Sequence, residues 1–421
     1  MTAGLAPTRE VLANGVTVLA RQTSMTPAVT LLVQMRAGSV HDAVDLPGLA
    51  HFVSRTIDRG TDRRSADELA EQLDSRGVTL ASLLSRHTLS LACTCLVEDL
   101  GDVLALIAEV AMRPSFPLLE VERRRGEVVT LIRQDEDNPE KVAVEGLMSM
   151  LYGAHPYGRR ARGTLESVER IDRDALQRFH AAYCVPTGAS VAVVGDVEPA
   201  RAVDAVSASF GDWRGGASVE VTDVPVPLPA GRRHLVVPMM NKSQTDIAYG
   251  FATITRQDAS YHAYSLMNNI LGQYSLGGRL GDSIREQQGM AYYVYSSLDA
   301  NLMRGPLLIR AGVSSANVTK AVASIDAELQ KLVDSGPTEQ ELLESKQYLI
   351  GSMPRTLETN MGIATYLQTV EFFGLGLDYD LRMPDLLRAV TRQHVHDAAR
   401  RAIDPANATV VVAGPFEGSL S

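Results

Sequence analysis

Residues 48–61 read Gly48-Leu-Ala-His-Phe-Val-Ser-Arg-Thr-Ile-Asp-Arg-Gly-Thr61, and their pattern predicts a helix from about residue 47, with Pro47 suited to its first turn. With Glu at 54 and His at 55 the stretch would read H-x-x-E-H, an inverted zinc-binding pattern. Two histidines four apart share one helical face and can grip a zinc ion, and the glutamate between them can activate its water. This chain keeps the spacing and has lost the chemistry: Ser54 stands at the base and Arg55 at the second ligand. A serine hydroxyl is no base at neutral pH, and a guanidinium is a permanent cation that repels a metal. His51 alone cannot hold a catalytic zinc, which needs three protein ligands. Neither His87 nor His155 has a companion at ligand spacing.

Outward from this stretch the periodicity alternates between strand and helix. Strands are expected near 16–22 and 29–36 and a helix over 65–76 with Ser65 as N-cap. Two strands near 78–84 and 88–97 follow, then helices over about 99–112 and 117–136. The pattern then repeats. Val185-Pro-Thr-Gly-Ala-Ser-Val-Ala-Val-Val-Gly195 is echoed by Asp404-Pro-Ala-Asn-Ala-Thr-Val-Val-Val-Ala-Gly414, with Pro186 and Pro405, and Gly195 and Gly414, each 219 residues apart. Each segment follows a helix-like stretch, 174–183 or 394–403, and Val29–Met35 has its echo in Asp246–Phe251. An offset near half the chain predicts duplication of one α/β unit. The expected division is an N-terminal half over 1–215, a Gly- and Pro-rich linker over 216–233 and a C-terminal half over 234–421. The fold class expected is α+β, two similar α/β halves with sheets covered by helices.

Composition narrows the function classes. The 421 residues carry a formal net charge of −10, with 45% hydrophobic and 21% charged residues and a mean hydropathy of −0.02. That balance argues against a nucleic-acid partner, because phosphate neutralisation needs a basic surface. No apolar run reaches the ~18 residues of a membrane span, and residues 1–10 have no signal-peptide core, so no membrane partner and a cytoplasmic, bacterial location are expected. Cys93, Cys95 and Cys184 are few and odd in number, which fits a reducing compartment. Cys93 and Cys95 share one face of the alternating run 88–97 and read as small buried hydrophobes. The basic runs Arg123-Arg-Arg125 and Arg159-Arg-Ala-Arg162 read as solvated surface.

An ordered set of segments resembles the pitrilysin family. Gly48–Thr61, Glu136-Asp-Asn-Pro139, His155-Pro-Tyr-Gly158, Gly163-Thr-Leu-Glu-Ser167 and Val194-Gly-Asp196 fall in the family's order. So does Arg279-Leu-Gly-Asp-Ser-Ile-Arg-Glu-Gln-Gln-Gly-Met-Ala-Tyr-Tyr-Val-Tyr-Ser296 in the second half. The likeness is to the half-length subunits typified by mitochondrial processing peptidase and its bacterial relatives. It implies that His51 stands at the first zinc ligand, Ser54 at the catalytic glutamate, Arg55 at the second ligand and Leu131 at the third. Glu127 lies one helical turn from Leu131. In the expected substrate-binding edge strand, Leu80 of Gly77-Val-Thr-Leu-Ala81 replaces an asparagine.

The same resemblance assigns the family's Arg/Tyr pair to Arg285 and Tyr292. A tyrosine hydroxyl can donate to the oxyanion forming at a scissile carbonyl, and an arginine fork can hold substrate carbonyls or a carboxylate. The stretch Gly272-Gln-Tyr-Ser-Leu-Gly-Gly278 reads as a turn, shorter than the glycine-rich loop that takes in substrate in the non-catalytic subunit of mitochondrial processing peptidase, and the resemblance implies substrate contacts at Gly277, Gly278 and Arg279. The implied function is that of a non-zinc subunit. A homologous H-x-x-E-H chain would supply the zinc, this chain would bring no cofactor of its own, and unfolded peptides would be cleaved in a closed chamber. The alternative is a catalytically inactive peptide-binding or scaffold protein of the same family, which would have no need of Arg285 and Tyr292. A third reading, residual chemistry from Ser54 beside His51, lacks an orienting acid.

Overall fold

Short β-branched runs with alternating burial make two sheets in a computed structural model that describes residues 4–24, 26–217, 224–227, 231–272 and 277–419. The strands are β1 (Thr8–Val11), β2 (Thr17–Gln22), β3 (Ala28–Met35), β4 (Ala81–Leu84), β5 (Leu89–Leu96), β6 (Ser190–Gly195), β7 (Arg233–Pro238), β8 (Thr245–Ala252), β9 (Ala291–Leu298), β10 (Pro306–Val313) and β11 (Thr409–Gly414). One sheet runs β1-β2-β6-β3-β5-β4 and the other β7-β11-β8-β10-β9. In each a single parallel pair, β2 with β6 or β7 with β11, is flanked by antiparallel pairing. Thr17 faces Ser190 and Gln22 faces Gly195; Arg233 faces Thr409 and Pro238 faces Gly414. The 219-residue echo is thus one topology used twice, with β1 added to the first copy.

The chain folds into two compact units that do not follow its halves. One comprises Met1–Ile132, Arg160–Thr222 and Met353–Asp380; the other comprises Arg133–Arg159, Asp223–Ser352 and Leu381–Ser421. Part of the linker expected at 216–233 lies outside the described residues. Each unit therefore takes a helical stretch from the opposite half of the sequence.

In the first unit, Val18, Ala20, Leu31, Val33, Val191 and Val193 point into the main core with Phe52, Leu104 and Ile107 of the helical layer. The alternate residues Leu19, Leu32, Ala192 and Val194 face the other way, onto Ile363, Ala364 and Leu367 of the helix Asn360–Phe373. This is the period-two rule with both faces buried, each large side chain stabilising by about 1.5–3 kcal/mol. Gln368 of that helix is buried and donates to the carbonyls of Leu32 (2.7 Å) and Ser190 (3.2 Å). In the second unit the helix Pro139–Tyr152 plays the same part: Gly146 abuts Val411 and Leu235, and Leu147 lies against Gly250. Its start is set by the Asn138 side chain, which accepts from the amides of Glu140 and Lys141, with Pro139 in the first turn.

Three expectations change in detail. Pro47 lies outside its helix, which is Leu49–Thr56. Gly48 takes φ +92°, a Cβ there would meet the Arg162 carbonyl oxygen at 2.5 Å, and the chain cannot enter a helix at 47. The Asp42 carboxylate caps this start, accepting from the amides of Gly48 (2.8 Å) and Ala50 (2.7 Å). The helix opened by Ser65 is Ala66–Asp74 and carries a capping box with Glu68. The strand expected at 78–84 is the shorter β4, at the sheet edge. Cys93, Cys95 and Cys184 are buried free thiols, and burial pushes them up to about 12, about 11 and about 12 respectively.

Candidate functional site

The helix Leu49–Thr56 meets the long helix Leu118–Glu136 where a zinc site would need three ligands. Ser54 is buried, and its hydroxyl donates to the His51 main-chain carbonyl at 2.7 Å instead of to the imidazole. That bond takes the proton a nucleophile would have to give up, so Ser54 and His51 form no catalytic pair. Arg55 reaches across to Glu127 at 3.3 Å, and Arg124 donates to both oxygens of the same carboxylate at 2.5 and 2.6 Å. The Arg124 guanidinium, with help from Arg55, holds the Glu127 carboxyl below the usual range. Leu131, half-buried, offers no donor.

A divalent cation does not fit here. It would stand beside two guanidinium groups and compete with both for the one nearby carboxylate. Among the described residues no group of three or more His, Cys, Asp or Glu is arranged to hold a metal. His155 is buried elsewhere, its Nδ1 accepting from the Tyr157 amide at 3.0 Å.

Arg285 and Tyr292 lie on consecutive elements of the second unit. Arg285 sits in the π-helical turn Gly281–Gln287, a geometry frequent at functional positions, and its Nε is 3.5 Å from Glu286. The Met290 amide donates to Ile284 (3.1 Å) and closes the turn into β9. Tyr292 is the second residue of β9, the sheet edge, and is 69% exposed.

Its neighbours behave differently. Tyr293 donates to the buried Asp246, and Arg310 donates to Tyr295 and to Glu140, both at 3.1 Å. Burial raises Asp246 and, with the Asp246 hydrogen bond, raises Tyr293 further. Strand packing accounts for Tyr293 and Tyr295 but not for Tyr292.

Two family models match this chain: "Insulinase (Peptidase family M16)" over residues 17–165 and "Peptidase M16 inactive domain" over residues 170–349. The chain belongs to the M16 peptidase family. It is similar to an uncharacterized zinc protease of Mycobacterium leprae, 27% identical over 97% of this chain and 92% of the relative. It is similar also to the uncharacterized zinc protease YmxG of Bacillus subtilis, 25% identical over 82% and 83%. The crystal structure of a peptidase M16 inactive domain from Pseudomonas fluorescens superposes with a TM-score of 0.89 at 26% identity, covering 99% of this chain and all of that one. The α+β fold of two helix-covered sheets expected from the sequence is therefore the observed one, and the chain is an inactive-type member of the family.

The residues expected from the sequence to contact substrate are held as follows. Arg279 forms a two-pronged pair with Glu341 (2.7 and 2.9 Å) and donates to the Gly336 carbonyl at 2.9 Å. Gly278 takes φ +82°, with the Gly272 Cα 2.8 Å from where a Cβ would stand. Residues 273–276 of the glycine-containing turn lie outside the described residues. Among the basic runs, Arg125 is not a solvated side chain. It pairs with Glu122, donates to the carbonyls of Val168 and Ile171, and lies over the Phe52 ring at 5.3 Å. The Glu122–Arg125 spacing of three was the one available sequence signal. Nothing local announced the Arg55–Glu127–Arg124 cluster, which joins residues 72 apart.

Proposed function

We propose that this chain is the non-zinc subunit of a heterodimeric M16 peptidase acting on unfolded peptides in the bacterial cytoplasm. A homologous partner with an intact H-x-x-E-H helix supplies the metal, and this chain supplies Arg285, Tyr292 and part of the wall of a closed chamber. The observation that carries the reading is Tyr292. Its ring is 69% exposed on an edge strand and makes no side-chain hydrogen bond among the described residues, while Tyr293 and Tyr295 beside it are hydrogen-bonded. Its hydroxyl is available to donate to a developing oxyanion, and the Arg285 fork one element earlier can hold the peptide carbonyl or carboxylate next to it. Gly277, Gly278 and Arg279 shape the turn that leads into this element. The loss of His51's companions supports the division of labour, since a chain with its own metal would need no partner's.

The test is cleavage of an unstructured fluorogenic peptide by this chain alone, by an H-x-x-E-H relative alone, and by the mixture. Activity in the mixture alone is expected. Tyr292→Phe should lower kcat about 100-fold, the usual cost of one oxyanion donor, with KM little changed. Chelator-sensitive turnover by this chain alone would sink the proposal. A mixture indifferent to Arg285→Ala and Tyr292→Phe would leave a scaffold in its place.

A further inference from the structure

The first compact unit holds a second place where charge is left over. A cavity of ≈ 610 Å³ opens between the segment 61–64, the helices Ala66–Asp74 and Leu100–Met112, and the end of the helix Pro199–Phe210. Its floor is apolar, from Ala105, Leu106, Ala108 and Met112. Four arginines and three carboxylates line it. Every carboxylate has a cation: Glu109 is held by Arg64 and by the Thr61 hydroxyl, Asp102 by Arg76 at 2.8 Å, and Asp212 by Arg214 at 3.5 Å. Arg76 is further engaged by Asp99 at 3.4 Å. Arg63 and Arg113 are left, exposed, with no side-chain hydrogen bond or ion pair among the described residues.

The backbone brings these two together. Thr61 Oγ1 accepts from the amides of Arg63 (3.2 Å) and Arg64 (3.0 Å), which fixes the turn. The Asp62 amide donates to the Arg113 carbonyl at 3.1 Å, and the Ser115 amide to that of Gly60 at 3.0 Å. Arg63 and Arg113 therefore spring from hydrogen-bonded neighbours at one rim of the cavity. A pair of uncommitted guanidinium groups stands out on a chain of net charge −10, with the exposed Asp62 beside Arg63 as an opposing charge.

We propose that this cleft binds a small organic phosphate monoester. Two monocations rising from a fixed backbone match one phosphate dianion, whose three terminal oxygens suit two planar forks. A single carboxylate would leave one cation unmatched. The apolar floor takes the organic body, and the volume lies in the range of small-molecule sites, about 300–1,000 Å³.

Phenyl phosphate is the probe, titrated calorimetrically into the full chain at pH 8 and low salt. Saturable one-to-one binding is expected, weakened at least tenfold by Arg63→Ala and by Arg113→Ala, and unchanged by Arg123→Ala, another exposed arginine whose partner is Glu120. Benzoate, with the same ring and one charge, should bind at least tenfold more weakly. Affinity should fall at pH 5, where the phosphate is a monoanion. The absence of saturable binding, or equal losses from Arg123→Ala, would overturn the proposal. Inorganic phosphate binding as tightly as phenyl phosphate would remove the organic body from it. Unchanged circular-dichroism melts of the variants separate a binding loss from unfolding.

Discussion

Three residues past Arg55, Asp58 is surrounded by the guanidinium groups of Arg59, Arg124 and Arg55, and yet burial raises its pKa against their combined pull. A carboxyl whose pKa is higher folded than unfolded favours the fold below its ordinary pKa and loses that contribution as pH rises through the folded value. Asp58→Asn should therefore be more stable than the natural chain at pH 7, with the difference closing as pH falls toward 3.8; urea midpoints at the two pH values measure it. Glu127 has the opposite sign: its lowered pKa stabilises above the ordinary carboxylate range and ceases to do so as acid reaches the folded value. Arg55→Ala should nevertheless cost under ~1 kcal/mol by chemical denaturation, because such exposed pairs contribute little. The two side chains are 41% and 37% exposed, and Glu127 keeps Arg124. The departure of Ser54 and Arg55 from the H-x-x-E-H pattern was legible in sequence because ligand spacing on one helix is local. The ion pair that Arg55 makes was not, since it meets Glu127 only through tertiary packing.

At the level of elements, the matched glycines show how faithfully the duplicated strand was kept. Gly195 closes β6 at φ +155° and Gly414 closes β11 at φ +143°. A Cβ would fall 2.2 Å from the Ala28 carbonyl oxygen in one and 2.6 Å from the Thr245 Cα in the other. Gly195→Ala and Gly414→Ala should each destabilise by about 2–4 kcal/mol, from backbone strain plus overpacking, read as lowered melting temperatures. The sequence repeat exposed this correspondence because both copies keep residue type and spacing. The exchange of the helices Pro139–Tyr152 and Asn360–Phe373 was hidden for a physical reason. An amphipathic pattern says that a helix has a face to bury and not which sheet will cover it.

For the whole molecule, the exchange decides what a half of the chain can do. A fragment of residues 1–215 retains all six strands of the first sheet but lacks Ile363, Ala364 and Leu367, which cover Leu19, Leu32, Ala192 and Val194. Expressed alone, it should bind a hydrophobic dye strongly and aggregate, and co-expression with residues 216–421 should restore solubility. A soluble, cooperatively melting 1–215 would refute this dependence. No described helix is long and apolar enough to cross a membrane. The same feature bears on the chain's birth. Its last strand of the first sheet leaves the ribosome roughly 180 residues before the helix that completes it, a delay of roughly 9–36 s at 5–20 residues per second. Throughout that interval the nascent sheet is an unfinished, sticky surface. The N-terminal half should therefore call on chaperones that bind apolar β-structure during translation, for a time that synonymous codons between 196 and 360 would set.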